Sequence, residues 1–309
     1  MSEQHVTVVG AGLAGLACAR SLHDAGIPVR VLDRGRVPGG RLASRRLDDR
    51  PVDLGASYLT AEPGTRFAAV VDDWVARGLT RPWTDTFRVA DDERMHDAAS
   101  GPIRYAAPAG LRSLAVDLAE GLDVRQQVVL DALPEDSTTV LAMPDPQARR
   151  LLPGTHPLLD LLHDADAWAP VIAVALRWDG RRWPADLHGV FVNDSPDLGF
   201  IADDGDRRGD GAPVLVAHTT PELAKRHLDD PDGAVPTVVA AVRRILDIDA
   251  QPTSTYAHRW TFARPTAPHD EPFALAGTVG IAGDAWGGKA SSSAAWTSGD
   301  ALGRTLAER

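Results

Sequence analysis

The stretch VTVVGAGLAGLACARSLHDAGIPVRVLDRG, residues 6–35, constrains this chain more than any other. Val6 to Val9 is a short β-branched run and predicts a strand. Gly10 allows a tight turn that a Cβ would resist. Gly12 lets a ligand approach the backbone, and Gly15 lets the next helix pack close to the strand. Leu13 to Ala25 reads as that helix, with Leu13, Leu16, Ala17, Leu22 and Ala25 for its buried side and Gly26 and Pro28 to end it. Val29 to Leu32 is a second strand, closed by Asp33. The result is a βαβ unit with an acid about 20 residues past the glycines, the dinucleotide-binding fingerprint. Free N–H groups at the helix start, around Leu13 and Ala14, suit a pyrophosphate. Asp33, with Arg34 beside it, is placed to accept from a ribose hydroxyl.

Two further stretches bring backbone close to something. GRVPGGRLASRR, residues 35–46, follows Asp33 at once, and VDLGASYLT follows at 52–60. An NAD-only dehydrogenase has no standard use for a Gly39-Gly40-Arg41 turn at this place. Near the end, GTVGIAGDAWGGKASSSAAWTSGDALGRTLAER gives a strand over Val279 to Ala282, then Gly283-Asp284, a Gly-rich stretch and a helix from about Ser292. That helix carries Ala294, Ala295, Ala301, Leu302 and Leu306. Its N-terminus would favour negative charge on a bound group.

Between these motifs the chain alternates helix and strand. Arg66 to Arg77 is an amphipathic helix, Phe87 to Arg94 and Ile103 to Tyr105 are short strands, and residues 108–129 give a helix with Leu111, Leu114, Ala115 and Leu118 inward, followed by a strand. Thr139 to Met143 is an apolar strand ending in PDPQA. Strands at Val171 to Trp178, Val190 to Asn193, Val214 to Thr219 and Thr255 to Phe262 have few long helices among them, which predicts an antiparallel sheet in an inserted domain. Residues 199–211, acidic and Gly-rich, read as a hairpin loop, and Pro236 to Leu246 as a helix. The expected division is a discontinuous nucleotide domain of residues 1–65, 100–150 and 270–309, with a substrate domain of 66–99 and 151–269.

Composition closes off other classes. With 309 residues, 44% of them hydrophobic, the chain can bury a sizeable core. A formal net charge of −11 argues against non-specific binding to nucleic acid or anionic membranes. No apolar run approaches the roughly 18–20 residues of a membrane span, and nothing at the start resembles a signal peptide. The single cysteine, Cys18, precludes an internal disulfide and fits a cytoplasmic protein. The ten histidines show no metal-ligand spacing, and His156 and His163 read as belonging to a solvated loop.

Taken with HRWTFARP at 258–265, these motifs resemble the renalase-like, FAD-dependent oxidoreductases of the flavin amine oxidase superfamily. The resemblance implies an α/β fold: a Rossmann-type FAD-binding domain with an inserted antiparallel-sheet substrate domain, as in p-hydroxybenzoate hydroxylase. It implies FAD contacts at Gly10, Gly12, Leu13, Ala14, Gly15, Asp33, Arg34, Gly40 and Arg41. Further contacts would come from Ala56, Ser57, Tyr58, Val128, Gly283, Asp284, Ala294 and Ala295. It also implies hydride transfer from a small reduced substrate to the flavin and on to O2, with isomeric 2- and 6-dihydronicotinamide dinucleotides as the family's substrates. His258 and Trp260, on one face of the strand with Phe262, are the substrate-site candidates. Arg41 and Lys289 are candidates for phosphates.

The chain departs from its relatives too. It has no C-terminal cysteine to tether a flavin, so FAD should be non-covalent. Neither Lys225 nor Lys289 matches the amine-oxidase lysine, and GDAWGGKASSS differs from the usual renalase ending. An amine or secondary-metabolite oxidase on the same scaffold, or a nicotinamide-dependent protein, stays open.

Overall fold

The computed structural model describes residues 5–134 and 137–309. In chain order the elements are β1 (Val6–Val9), α1 (Leu13–Asp24), β2 (Val29–Leu32), β3 (Ser44–Leu47), β4 (Arg50–Asp53), α2 (Arg66–Ala76), β5 (Arg81–Ala90) and β6 (Met95–Ala106). Next come α3 (Arg112–Ala119), β7 (Asp123–Arg125), β8 (Thr138–Leu141), α4 (Asp145–Ala148), β9 (Trp168–Arg177), β10 (Gly189–Val192), β11 (Leu198–Asp203), α5 (Asp204–Arg208) and β12 (Val214–Thr219). The chain closes with α6 (Pro221–Arg226), α7 (Val235–Leu246), β13 (Ser254–Pro265), β14 (Ala274–Ala276), β15 (Val279–Ile281) and α8 (Ser292–Ala307).

One sheet has the order β14-β15-β8-β1-β2-β7. Its strands are parallel except for β14 at the edge. All four residues of β1 are buried, as a strand covered on both faces requires. Helices α1 and α8 cross at backbone distance. A Cβ at Gly299 would collide with the Ala14 carbonyl oxygen, and one at Gly303 with that of Cys18. The alanines that the sequence offered for this helix do not make the closest approach; the two glycines four apart do.

The second sheet has the order β13-β9-β12-β11-β10-β5-β6. It is not purely antiparallel, because β10 runs parallel to β5. The chain leaves this sheet after β6 and passes through the first unit before it returns, so no hairpin ties those two strands. One face packs Ile172, Val174, Leu176 and Leu215 on α6 and α7 through Leu223, Val238, Val242 and Ile245. The other presents Ala173, Ala175, Val214 and Val216 to Val52 and Leu54 of the first unit.

Three expectations shift. Helix α2 places Phe67, Val71 and Trp74 in the core with Leu16, Leu22 and Trp296, so it packs with the nucleotide unit. Strand β6 runs to Ala106, so residues 100–106 lie in the second sheet. Residues 199–211 are not a hairpin loop: they form most of β11 and all of α5. That helix is capped by Asp203, whose side chain accepts from the Asp206 N–H, and it ends at Gly209 in the left-handed region (φ 81°).

Candidate active site

The three glycines of the first turn separate into two kinds. Gly10 (φ 112°) faces the Ala142 carbonyl, and a Cβ on Gly15 would strike the Gly10 carbonyl oxygen, so both are dictated by packing. Around the Cβ direction of Gly12 there is no protein atom within 4 Å. Gly12 is also the N-cap of α1 and offers no side chain to the free N–H groups at Leu13 and Ala14. The second glycine turn lies against this one: the Gly39 N–H donates to the Ala11 carbonyl (2.8 Å), and a Cβ on Gly40 would sit 3.2 Å from the Gly12 Cα. Open space at uncapped helix N–H groups, walled by a second glycine backbone, fits a pyrophosphate.

Asp33 has a role the sequence did not show. Its two carboxylate oxygens accept from the Ala11 N–H (2.7 Å) and the Gly35 N–H (2.6 Å), so it braces the glycine turn and the turn after β2. Val128 comes to the same place, its N–H donating to the Asp33 carbonyl at 2.9 Å. Arg34 is exposed beside them.

Arg41 and Asp284, 243 residues apart, meet in a forked ion pair with N···O distances of 2.7 and 2.6 Å. Arg41 also donates to the Ala263 carbonyl (3.2 Å) and lies over the Trp168 ring. Its charge is therefore matched by a carboxylate, whereas Lys289 is exposed on the loop before α8. The start of α8 is fixed by Ser291, whose Oγ accepts from the Ala294 N–H (3.0 Å). The strand end is held to the helix because Ser298 Oγ accepts from the Gly283 N–H (3.1 Å). Ala294 and Ala295 are half-buried in that first turn.

Residues 53–58 connect the two units. Asp53 Oδ1 accepts from Ser44 Oγ and from the Leu111 N–H (3.0 Å). Arg207 donates to the Asp53 carbonyl (2.8 Å) and the Ser57 carbonyl (3.1 Å). Arg207, Arg208 and Arg50 all pair with Asp204, whose side chain is fully enclosed, and Arg208 also pairs with Asp53 (2.9 Å). Burial pushes the Asp204 carboxyl up, but the three guanidiniums outweigh it and hold its pKa below the usual range. The Ala56 N–H donates to the Arg41 carbonyl (2.8 Å), which ties this segment to the second glycine turn.

The sheet face toward the first unit carries a continuous cross-strand row. His258 of β13 pairs with Ala173 of β9, Ala173 with His218 of β12, His218 with Phe200 of β11, and Phe200 with Phe191 of β10. Phe87 and Tyr58 join the Phe200 end, with centroids 5.3 and 6.2 Å from that ring. His258 and Trp260 touch edge to face at 4.5 Å, and Trp260 Nε1 donates to the Leu54 carbonyl (2.7 Å). Phe262 is not on this face: the β13–β9 register shifts between Trp260 and Arg264, and Phe262 packs with Trp168 instead. Burial and the Arg207 and Arg264 charges push the His218 pKa down to about 3. His258 is lowered by burial and then by Arg45, Arg112 and Arg259. Both imidazoles are neutral at pH 7. The sequence reading missed His218, Phe191, Phe200 and Phe87; period-two alternation was the available signal, but strand order was not.

Two features lie apart. His163, expected in a solvated loop, stacks on His269 at 4.4 Å, and His269 stacks on Trp286 and pairs with the buried Asp145 (2.8 Å). A groove of about 750 Å³ between α1, α2 and α8, lined by Arg66, Trp74, Trp296 and Asp300, is on the back of the nucleotide unit.

Fold and cradle together define a mixed α/β protein with a Rossmann-type dinucleotide-binding unit. Residues 8–74 match the NAD(P)-binding Rossmann-like domain. The chain is similar to Protein FLOWERING LOCUS D of Arabidopsis thaliana, 43% identical over 67 residues, 20% of this chain and 8% of that protein. It is 46% identical over 59 residues to amine oxidase [flavin-containing] B of Sus scrofa, 19% of this chain and 11% of that protein. It is 50% identical over 56 residues to phytoene dehydrogenase of Streptomyces griseus, 18% of this chain and 11% of that protein. Each match therefore takes in about a tenth of the relative's length. In fold, a protein assigned as a protoporphyrinogen oxidase from Exiguobacterium sp. 255-15 is similar across 100% of this chain and 99% of its own, with TM-score 0.78 and 16% identity. Wild-type putrescine oxidase bound to putrescine is similar across 99% of each chain, with TM-score 0.76 and 15% identity.

Proposed function

We propose that the chain is an FAD-dependent oxidase that binds its flavin non-covalently and oxidises a small reduced molecule by hydride transfer. The observation that carries this reading is the abutment of the two glycine turns at the uncapped N-terminus of α1, with Arg41–Asp284 and the start of α8 completing the same site. A second glycine turn after the first βαβ unit serves a cofactor longer than NAD. Names of sequence relatives, a flavin-containing amine oxidase among them, support the same reading.

When bound, FAD would supply the hydride-accepting chemistry, with O2 as final acceptor and H2O2 as product. The chain's own residues then have positional tasks. Gly12, Leu13 and Ala14 would hold the pyrophosphate at the α1 N–H groups. Asp284 and Arg41 would contact the adjoining part of the cofactor. The start of α8 favours negative charge on the reduced cofactor. Tyr58 packs on Phe87 and Phe200 of the second sheet, whose face toward the first unit also carries His258 and Trp260, the candidates for substrate contact. Hydride transfer needs no general base, which agrees with two neutral imidazoles as the titratable groups in the sheet-face row.

For the substrate we favour isomeric dihydronicotinamide dinucleotides. HRWTFARP and PDPQA support this choice, and an amine or secondary-metabolite oxidase is the alternative. Purified protein should be yellow, with one FAD per chain released intact by heat. Colourless protein that does not take up FAD overturns the proposal. Anaerobic stopped-flow bleaching separates the substrates: fast reduction by a 2- or 6-dihydro isomer and slow reduction by ordinary NADH is expected. Fast reduction by a primary amine, with none by the isomers, transfers the activity to the alternative.

A further inference from the structure

The sheet face toward the first unit contains a charge that no described residue neutralises. Arg104 of β6 is only 5% exposed. Among the described residues it forms no ion pair and its side chain donates no hydrogen bond, and its Nη1 is fully enclosed without a partner. Its guanidinium lies over Phe87 at 4.1 Å and within 5.5 Å of Tyr58 and 5.7 Å of Phe191. Buried guanidiniums are ordinarily paired with a carboxylate, because burying an isolated charge is costly. Arg207 and Arg208, equally buried, follow that rule with Asp204 and Asp53.

A second orphan stands on the same face. His218 Nε2 is enclosed and has no partner. Phe200 bridges the two: its ring is 6.2 Å from His218, 6.2 Å from Tyr58 and 5.5 Å from Phe191. The Ser57 hydroxyl, next to Tyr58, is likewise buried without a partner. These rings pack edge to face or tilted, at 45–74° to one another, and the unmatched polar atoms among them are a cation and neutral hydrogen-bonding groups. No carboxylate lies in the cross-strand row to receive an ammonium group.

We propose that Arg104 forms the substrate's anion subsite, and that the substrate bears a carboxylate or phosphate rather than being a simple cationic amine. This rests on the oxidase reading above for the word substrate, but the binding itself does not require flavin. Arginine offers a fork of donors matched to such anions. The rings of Phe87, Tyr58 and Phe191 hold the guanidinium in place.

Calorimetric titration of the purified protein with benzoate, phenyl phosphate and the neutral isostere benzamide tests the subsite. One of the two anions should bind at least tenfold more tightly than benzamide, and which one does so names the anionic group. Arg104→Gln should abolish that preference, and Arg104→Lys should retain part of it; thermal melts of both report folding. Benzamide binding as tightly as both anions overturns the proposal without recourse to any variant. So does unchanged anion affinity in Arg104→Gln. FAD released by heat from the same wild-type sample is read separately, so loss of the oxidase reading and loss of the anion subsite give different results.

Discussion

The glycine cradle and the sheet face opposite it are built on contrary plans. The cradle is made of backbone. Gly10, Gly12, Gly15, Gly39 and Gly40 shape it, and the side chain that braces it, Asp33, does so by accepting two backbone N–H groups. The sheet face is made of side chains drawn from β13, β9, β12, β11, β10 and β5, and its anchor is an enclosed carboxylate, Asp204, shared by three arginines. A site written in backbone lies within a few dozen consecutive residues. A site written in side chains is spread over the chain and depends on strand order. The two should therefore fail differently when mutated.

The largest effect is expected at the ionic anchor. Asp204→Asn leaves Arg207, Arg208 and Arg50 without their shared counter-charge and should cost about 3–5 kcal/mol of stability, the usual result of breaking a buried pair. Urea unfolding measures it, and a loss below about 1 kcal/mol would show that the cluster does not hold the 53–58 segment. Gly15→Ala comes next. Its Cβ meets a backbone oxygen that cannot turn aside, so a loss of about 1–3 kcal/mol or more is expected from the same measurement.

His218 sharpens the comparison through pH. Its folded pKa of about 3 lies below the ordinary histidine value of 6.5. Between those values the unfolded chain binds a proton that the folded chain refuses, so stability falls as pH drops through this window. The loss from this group is about 2 kcal/mol between pH 7 and pH 5. His258, lowered in the same direction, adds to it. Stability curves of wild type and His218→Gln should converge toward acid pH, and parallel curves would contradict the assignment.

The smallest effect on stability belongs to Gly12→Val. Its added atoms meet open space, so unfolding should change by about 1 kcal/mol or less. Cofactor content should nevertheless vanish, because the side chain fills the place of the pyrophosphate. A variant that stays stable and keeps FAD would remove Gly12 from the site.

Much of the fold was legible because its signals are local. Val6–Val9, Val29–Leu32 and Val214–Thr219 agree with the sequence expectations residue for residue. The run of residues 199–211 was misread because acid, glycine and arginine in sequence look solvated. Asp204, Arg207 and Arg208 are buried because Asp53 and Arg50 come from another unit to meet them. Phe262 was placed on the wrong face because a bulge in β13 breaks the period of two, and a single strand does not reveal its bulges.

The sequence by itself determined the βαβ turn, the two glycine approaches and the Gly-Asp strand end, since each is fixed by the conformations its own residues allow. Tertiary structure alone decided that Arg41 meets Asp284 across 243 positions. It decided that Gly299 and Gly303, rather than the alanines, set the α1–α8 distance. It also decided that Arg104 is buried against Phe87 without a carboxylate. Local conformation follows from nearest neighbours along the chain. Charge pairing, close helix approach and the identity of an orphaned donor follow from which distant surfaces the folded chain presses together.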